Sequence, residues 1–358
     1  MQRWSALEEA LEDAGLDAAI ITHLPSVRYL TGFSGSSGSV FHSRLGSPVL
    51  ITDFRYEEQA ASEVAESVRV HISTNGWIAA VAEIAPRGGI GRAGFEPEHL
   101  TVLDLDRLSQ KTPGIEWVAL PRLMAGLRAV KDEAETELIH AAARLAEAAL
   151  DRLIATVNWR SGPTETVVAA TLEFELRRGG SGPLPFDPIV AGGPRTSLPH
   201  ATPSDRAIGP GELLLLDFGA TVDGYCSDLT RTFVVGRTQE WQREIHEHVL
   251  AAHSDALAAI GPDAPAATVD RAARQVLAAR DLDRFFGHST GHGLGLEVHE
   301  EPRLSSKSAA VLEPGNVVTV EPGVYLPGRG GVRIEDDVAV TRTGSRVLTS
   351  APRDLIEL

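Results

Sequence analysis

Carboxylates and imidazoles recur through the second half of this sequence in an arrangement suited to metal-assisted hydrolysis. The stretch Leu213-Leu-Leu-Leu-Asp-Phe-Gly-Ala-Thr-Val-Asp-Gly-Tyr-Cys-Ser-Asp228, continued by Leu229-Thr-Arg-Thr232, is a pair of strand-like runs around Asp223-Gly224. Asp-Gly between alternating apolar residues is the strongest short hairpin signal. A two-residue turn there sets Val222 opposite Tyr225 and Asp217 opposite Thr230, and makes Asp228 the diagonal neighbour of Asp217. Diagonal partners lie about 7–8 Å apart at the backbone, so both carboxylates can converge on ions between them. Arg231 falls on the opposite face, which leaves the pair without an obvious neutralising cation. A solitary Asp would normally only end a strand or cap a turn, and Asp223 is read that way.

Downstream, Gly287-His-Ser-Thr-Gly-His-Gly-Leu-Gly-Leu-Glu-Val-His-Glu300 holds His288, His292 and His299 in one glycine-rich segment. Glycine lets the backbone approach an ion or substrate, and neutral imidazole is the commonest metal ligand. Val317-Val-Thr-Val-Glu-Pro-Gly323 places Glu321 at the end of an apolar strand, and Gly331-Val-Arg-Ile-Glu-Asp-Asp337 places Arg333 and Glu335 on one face. Acidic groups that follow buried runs are costly unless paired or metal-bound. Four carboxylates and one histidine make an oxygen-rich set, enough for two divalent cations, with Mn²⁺ first and Co²⁺, Zn²⁺ or Fe²⁺ as alternatives.

The elements that must position these groups follow from periodicity. Leu138, Ala142, Leu145, Ala149 and Leu153 share one helical face, and Asp132 with Glu135 can cap its start. Helical spacing recurs over Trp4–Ala14, Gln239–Ile260 and Thr268–Ala279, and strands are expected at Ala18–Thr22, Pro48–Thr52, Leu213–Leu216 and Val317–Val320. Thr31 to Gly38 reads as a glycine-punctuated loop. With 358 residues two domains are expected, divided near Gly126 into 1–126 and 127–358.

A net charge of −16 without a Lys/Arg cluster makes nucleic acid and anionic membranes poor partners. No apolar run approaches the roughly 20 residues that span a bilayer, and the amino terminus lacks the pattern of a secretory signal. Cys226 is the only cysteine, so no intramolecular disulfide can form and a cytoplasmic location is expected. Gly89-Ile-Gly-Arg-Ala-Gly94 matches the bare dinucleotide fingerprint, but Pro86-Arg87 stands before it in place of a strand and Pro97 follows too soon for a helix. No Gly-x-Ser-x-Gly elbow occurs around Ser34 to Ser39.

Asp217 in LLLLDFGA, Asp228 in SDLTRT, His292 in TGHGLGLEVHE, Glu321 in VEPGVY and Glu335 in GVRIEDD together resemble the pita-bread metallopeptidases of family M24. The likeness is to the Xaa-Pro aminopeptidase and prolidase branch, because TGFSGSSGS and TDFRYEEQA resemble its creatinase-like amino-terminal domain and KDEAETELI the helix opening its catalytic domain. That resemblance implies an α+β fold, a pita-bread catalytic domain preceded by a smaller creatinase-like α/β domain. It further implies that Asp217 chelates one metal, that Asp228 and Glu335 bridge both, and that His292 and Glu321 complete the other. His200, His288 and His299 resemble substrate-site histidines, with His200 and His299 stabilising an oxyanion, and Arg333 resembles the arginine supporting the ligands and substrate. Glu321 is the implied proton donor to the leaving nitrogen, and a homodimer is implied.

The activity expected is removal of an amino-terminal residue ahead of proline. A prolyl amide has no N–H and a fixed φ, so it needs a dedicated pocket, for which Phe186, Tyr225 and Tyr325 are candidates. Aminopeptidase action is favoured over Xaa-Pro dipeptidase (prolidase) action, because no arginine-bearing insertion stands out to clamp a dipeptide carboxylate. A metal-free creatinase-like amidinohydrolase and a non-catalytic binding module are remote alternatives, both expected to lack part of the ligand set.

Overall fold

The computed structural model describes residues 2–44, 46–85 and 89–358, and resolves into two compact units, Met1–Arg128 and Ala129–Leu358. Gly126 lies inside a helix, Leu123–Ala129. No helix among the described residues is long and apolar enough to cross a membrane.

The first unit is built on strands β1 (Ala18–Ile21), β2 (Ser39–Ser43), β3 (Val49–Thr52), β4 (Arg69–Ile72), β5 (Arg92–Phe95) and β6 (Glu116–Ala119). They form one sheet in the order β4-β3-β2-β1-β5-β6, parallel except where β2 pairs with β1 and β3. Apolar side chains of Ile20, Phe41, Ile51 and Phe95 pack one face against the helices Trp77–Ile84 and Val102–Lys111. Gly94 belongs to β5, so the glycine-rich hexapeptide runs into a strand and opens no phosphate-binding helix. Pro86 and Arg87, which bear on the same point, lie outside the described residues.

The second unit opens with helix α1 (Glu133–Thr156). Its start follows from the sequence: the Asp132 side chain accepts from Glu135 N at 2.8 Å and the Glu135 carboxylate accepts from Asp132 N at 2.9 Å, a reciprocal cap. Ile139, Ala142, Ala146, Ala149 and Leu153 form its buried stripe. With α2 (Glu165–Arg178) this helix covers a three-stranded antiparallel sheet of β7 (Ile189–Gly192), β8 (Glu212–Phe218) and β9 (Leu229–Val235), through a core that includes Leu150, Leu172, Leu214, Leu216 and Phe233.

A second, five-stranded antiparallel sheet holds β10 (Gly291–Gly293), β11 (Glu300–Leu304), β12 (Val317–Val320), β14 (Asp336–Thr341) and β15 (Gly344–Val347), ordered β11-β10-β12-β14-β15. Between β12 and β14 in sequence, β13a (Gly323–Leu326) and β13b (Gly330–Arg333) form a two-stranded ribbon. Helices α3 (Glu240–Ala258) and α4 (Ala266–Ala278) pack Val249, Ala256, Val269 and Leu277 into the core shared with Val318, Val320, Ile334 and Val338.

Lys131, just ahead of α1, donates to Glu300 Oε2 at 2.9 Å with both side chains nearly inaccessible. Glu300 Oε1 accepts from Glu297 N at 3.2 Å, so this ion pair closes the bend that carries His299. Removing one partner of a buried pair leaves an uncompensated charge, an effect of about 3–5 kcal/mol. Lys131→Met is therefore expected to lower the urea midpoint of the folded chain strongly, and adding Glu300→Gln to recover much of the loss. A Lys131→Met protein within about 1 kcal/mol of the parent would contradict this.

Candidate metal centre and substrate cavity

The Asp223-Gly224 turn forms as the sequence requires, with φ of 46° and 79°, a two-residue turn of positive φ at both positions. Its register pairs Val222 with Tyr225 and Thr230 with Asp217. Asp217 and Asp228 thereby reach one cavity of about 830 Å³, whose wall also carries His292, Glu321, Arg333 and Glu335. All of these except Glu321 are buried.

His292 is held by its neighbours in the backbone. A Cβ on Gly291 would collide with the Thr319 carbonyl, and one on Gly293 with the Glu301 carbonyl, so the strand can pass this closely only with glycine on both sides of the histidine. His292 Nδ1 lies 2.9 Å from Gly293 O, which assigns the proton to Nδ1 and leaves a lone pair on Nε2. Burial pushes the imidazole down to about 4, so it is neutral at pH 7. Its Nε2 stands 3.5 Å from Glu321 Oε1 and 3.7 Å from Asp228 Oδ2, too far for good hydrogen bonds and suited to an ion between them. Ligand atoms of Asp228, His292 and Glu335 lie within 4.8 Å of one another.

Electrostatics point the same way. Burial, reinforced by Glu335 and Asp217, pushes Asp228 well above the carboxylate range, and burial with Glu321 and Asp217 does the same to Glu335. Burial pushes Glu321 up to about 8. Asp217 Oδ1 and Asp228 Oδ1 are buried without a hydrogen-bond partner. Crowded, desolvated carboxylates with unused oxygens fit divalent cations, which relieve both the repulsion and the missing bonds.

Arg333 corrects one expectation. Asp217 does have a cation beside it: Arg333 Nη2 donates to Asp217 Oδ2 from a strand more than a hundred residues away in sequence. The same guanidinium donates to Tyr325 Oη at 2.7 Å, to Thr230 Oγ1 at 3.0 Å and to Pro199 O at 3.3 Å. Arg231 does lie away from the pair, buried against Asp336 at 2.8 Å.

The substrate-site histidines divide into two kinds. His200 and His299 line the cavity and are exposed, with the His299 ring edge-on to His292 at 4.4 Å. Partial desolvation of its ring, then Arg303, holds His299 below its ordinary value. His288 also borders the cavity, but its Nδ1 meets Ser289 O at 2.9 Å and its Nε2 meets Tyr325 Oη at 2.8 Å. The carbonyl takes the Nδ1 proton, so Nε2 accepts from the tyrosine hydroxyl, and burial pushes this imidazole down to about 4.

Of the three aromatic residues considered for a proline pocket, Phe186 lines the cavity. Tyr225 is buried away from it, its hydroxyl donating to Glu135 Oε1 at 2.7 Å, and Tyr325 serves the His288–Arg333 network. Two residues at or behind the cavity wall were given no role from the sequence. Arg303 on β11 is exposed on the wall and has no ion pair among the described residues, and Thr230 is buried behind Glu335. The first gave no local signal; the second was legible as the partner of Asp217.

The model of metallopeptidase family M24 matches residues 137–342, and that of the creatinase/prolidase amino-terminal domain matches residues 3–130. A solved Xaa-Pro dipeptidase from Bacillus anthracis superposes with a TM-score of 0.95 at 38% identity, covering 100% of this chain and 99% of that one. A solved X-Pro aminopeptidase from Thermotoga maritima gives 0.90 at 34% identity over 96% and 98% of the two chains. The Xaa-Pro dipeptidase of Pyrococcus horikoshii is 35% identical over 349 residues, 97% of each chain.

Two expectations follow for Mn²⁺ added to chelator-treated protein. Asp228→Asn should weaken binding at least about ten-fold, since a neutral amide replaces a carboxylate, whereas His299→Ala should leave metal content unchanged. Metal analysis after dialysis reads both; unchanged binding in Asp228→Asn would remove that residue from the centre. Uptake at pH 7 should also release protons, because Glu321, at about 8 without a cation, is still largely protonated there. Calorimetry in buffers of different ionisation enthalpy measures the release, which should shrink above about pH 8.

Proposed function

Since the chain belongs to metallopeptidase family M24, with a creatinase/prolidase amino-terminal domain ahead of the catalytic one, we propose that it is an Xaa-Pro dipeptidase (prolidase), hydrolysing the bond between an amino-terminal residue and a carboxy-terminal proline. Asp217, Asp228, His292, Glu321 and Glu335 are the residues that would hold two divalent cations, Mn²⁺ first. Such a pair supplies a hydroxide nucleophile at neutral pH and polarises the scissile carbonyl.

The remaining roles belong to the chain itself. In this reading His200 and His299, exposed on the cavity wall, stabilise the oxyanion, and Glu321 passes a proton to the leaving proline nitrogen. Phe186 offers apolar surface to the proline ring. Arg333, spent on Asp217, Thr230 and Tyr325, holds the site together.

Arg303 is the observation that favours the dipeptidase form over the aminopeptidase form. It supplies, from within β11 and without any insertion, an exposed guanidinium on the cavity wall with no ion pair among the described residues, close enough to depress His299. A free carboxylate just beyond the scissile bond is the substrate feature that complements it, and only a dipeptide presents one there. The names of the Bacillus and Pyrococcus relatives agree with this form. A homodimer, implied by the family resemblance, belongs to the same reading; sedimentation velocity tests it, and a monomer would refute it.

Assays of Xaa-Pro against Xaa-Pro-Xaa, with EDTA and Mn²⁺ add-back, test the proposal. Dipeptide hydrolysis should vanish with EDTA, return with Mn²⁺ and exceed tripeptide cleavage at least ten-fold. Arg303→Ala should raise KM for the dipeptide about ten-fold or more, the loss of a hydrogen bond to a charged group being about 1.5–3 kcal/mol. Preferred cleavage of the tripeptide would restore the aminopeptidase reading, and chelator-resistant hydrolysis would defeat the metal chemistry.

A further inference from the structure

We propose that Thr230 is a positioning residue that fixes the orientation of the Glu335 carboxylate by relaying a hydrogen bond from Arg333. Thr230 sits on β9 opposite Asp217, fully buried at 0% exposure. Its Oγ1 has two close polar partners: Arg333 Nε at 3.0 Å and Glu335 Oε2 at 2.6 Å. A guanidinium N–H can only donate, so the threonine oxygen accepts from Arg333. The single hydroxyl proton must then point at Glu335, and the direction of the relay is fixed: Arg333 to Thr230 to Glu335.

The backbone closes the same grip. Glu335 N donates to Thr230 O at 3.2 Å, so one residue holds Glu335 at its amide and at its carboxylate. Arg333 meanwhile donates directly to Asp217. Two carboxylates, Asp217 on β8 and Glu335 in the link between β13b and β14, are thus set against one guanidinium, Asp217 in direct contact and Glu335 through a hydroxyl. The hydroxyl occupies one side of Glu335 Oε2, leaving Oε1 and the other side of Oε2 for the cavity.

A threonine in a buried strand has a plainer explanation, the packing of its β-branched side chain. The two accounts predict opposite results for a pair of substitutions. Thr230→Val keeps shape and branching and removes the hydroxyl; Thr230→Ser keeps the hydroxyl and removes the methyl.

The inference rests on Glu335 as a metal ligand, so the measurement is Mn²⁺ titration of chelator-treated protein by calorimetry, beside circular dichroism to confirm folding. Thr230→Val should bind Mn²⁺ about 10–100-fold more weakly than the parent, the range for lost support behind a ligand, and Thr230→Ser within about three-fold. Should Thr230→Val fail to fold, Thr230→Ala removes the hydroxyl without adding a group and is read in the same way. Parent-like binding in the hydroxyl-free variants, or an equal loss in Thr230→Ser, overturns the proposal. Absence of Mn²⁺ binding in the parent protein would instead overturn the metal reading on which it rests.

Discussion

Mutual repulsion among buried carboxylates is the constraint around which the second unit is organised. Asp217, Asp228, Glu321 and Glu335 are brought to one cavity wall, with Asp228 and Glu335 driven far above their ordinary range and oxygens of Asp217 and Asp228 lacking partners. Like charges at this separation in a desolvated site cannot all ionise unless positive charge lies among them. Arg333 provides some, directly to Asp217, but one guanidinium cannot balance four carboxylates. The remainder is what would give the site an affinity for divalent cations, and bound cations would then enter the folded state's electrostatic balance.

Holding such a cluster requires a scaffold whose own hydrogen bonds are complete. Two antiparallel sheets provide it, each backed by a helical pair and each contributing groups to the cavity wall: Asp217 and Asp228 from one hairpin, His292 and Glu321 from strands β10 and β12 or their ends. Glu335 follows the ribbon strand carrying Arg333 and is fastened to Thr230 across the gap. Behind the site, Arg231, His253 and Arg353 surround Asp336, holding its carboxyl well below the usual range although burial alone would raise it. Adjacent acids, Glu335 and Asp336, therefore have opposite environments: one faces a cavity short of cations, the other a pocket full of them.

That contrast separates charge spent on the fold from charge held at the cavity. Charged groups that serve the fold are matched within the chain, as Lys131 is to Glu300 and Arg152 to Glu175. At the cavity the balance is incomplete: Arg333 meets Asp217, but Asp228 and Glu335 have no Lys or Arg ion pair among the described residues. Arg303 belongs to this second kind by the same criterion.

Local order was legible in the sequence. The Asp223-Gly224 turn fixed a register that put Asp217 and Asp228 on one face, the Asp132–Glu135 cap fixed where the long helix begins, and apolar runs located β8 and β12, because turn geometry, capping and period-two alternation each act within a few residues. Residue types pointed to the four carboxylates and a histidine, and the family resemblance singled out His292 among the three in its segment. Which cation reaches Asp217, that Tyr225 faces a helix and not the cavity, that Thr230 stands between Arg333 and Glu335, and that Arg303 borders the site were decided only when distant strands packed. Those contacts join positions about a hundred residues apart, and nothing in a strand's own pattern records which strand will lie against it.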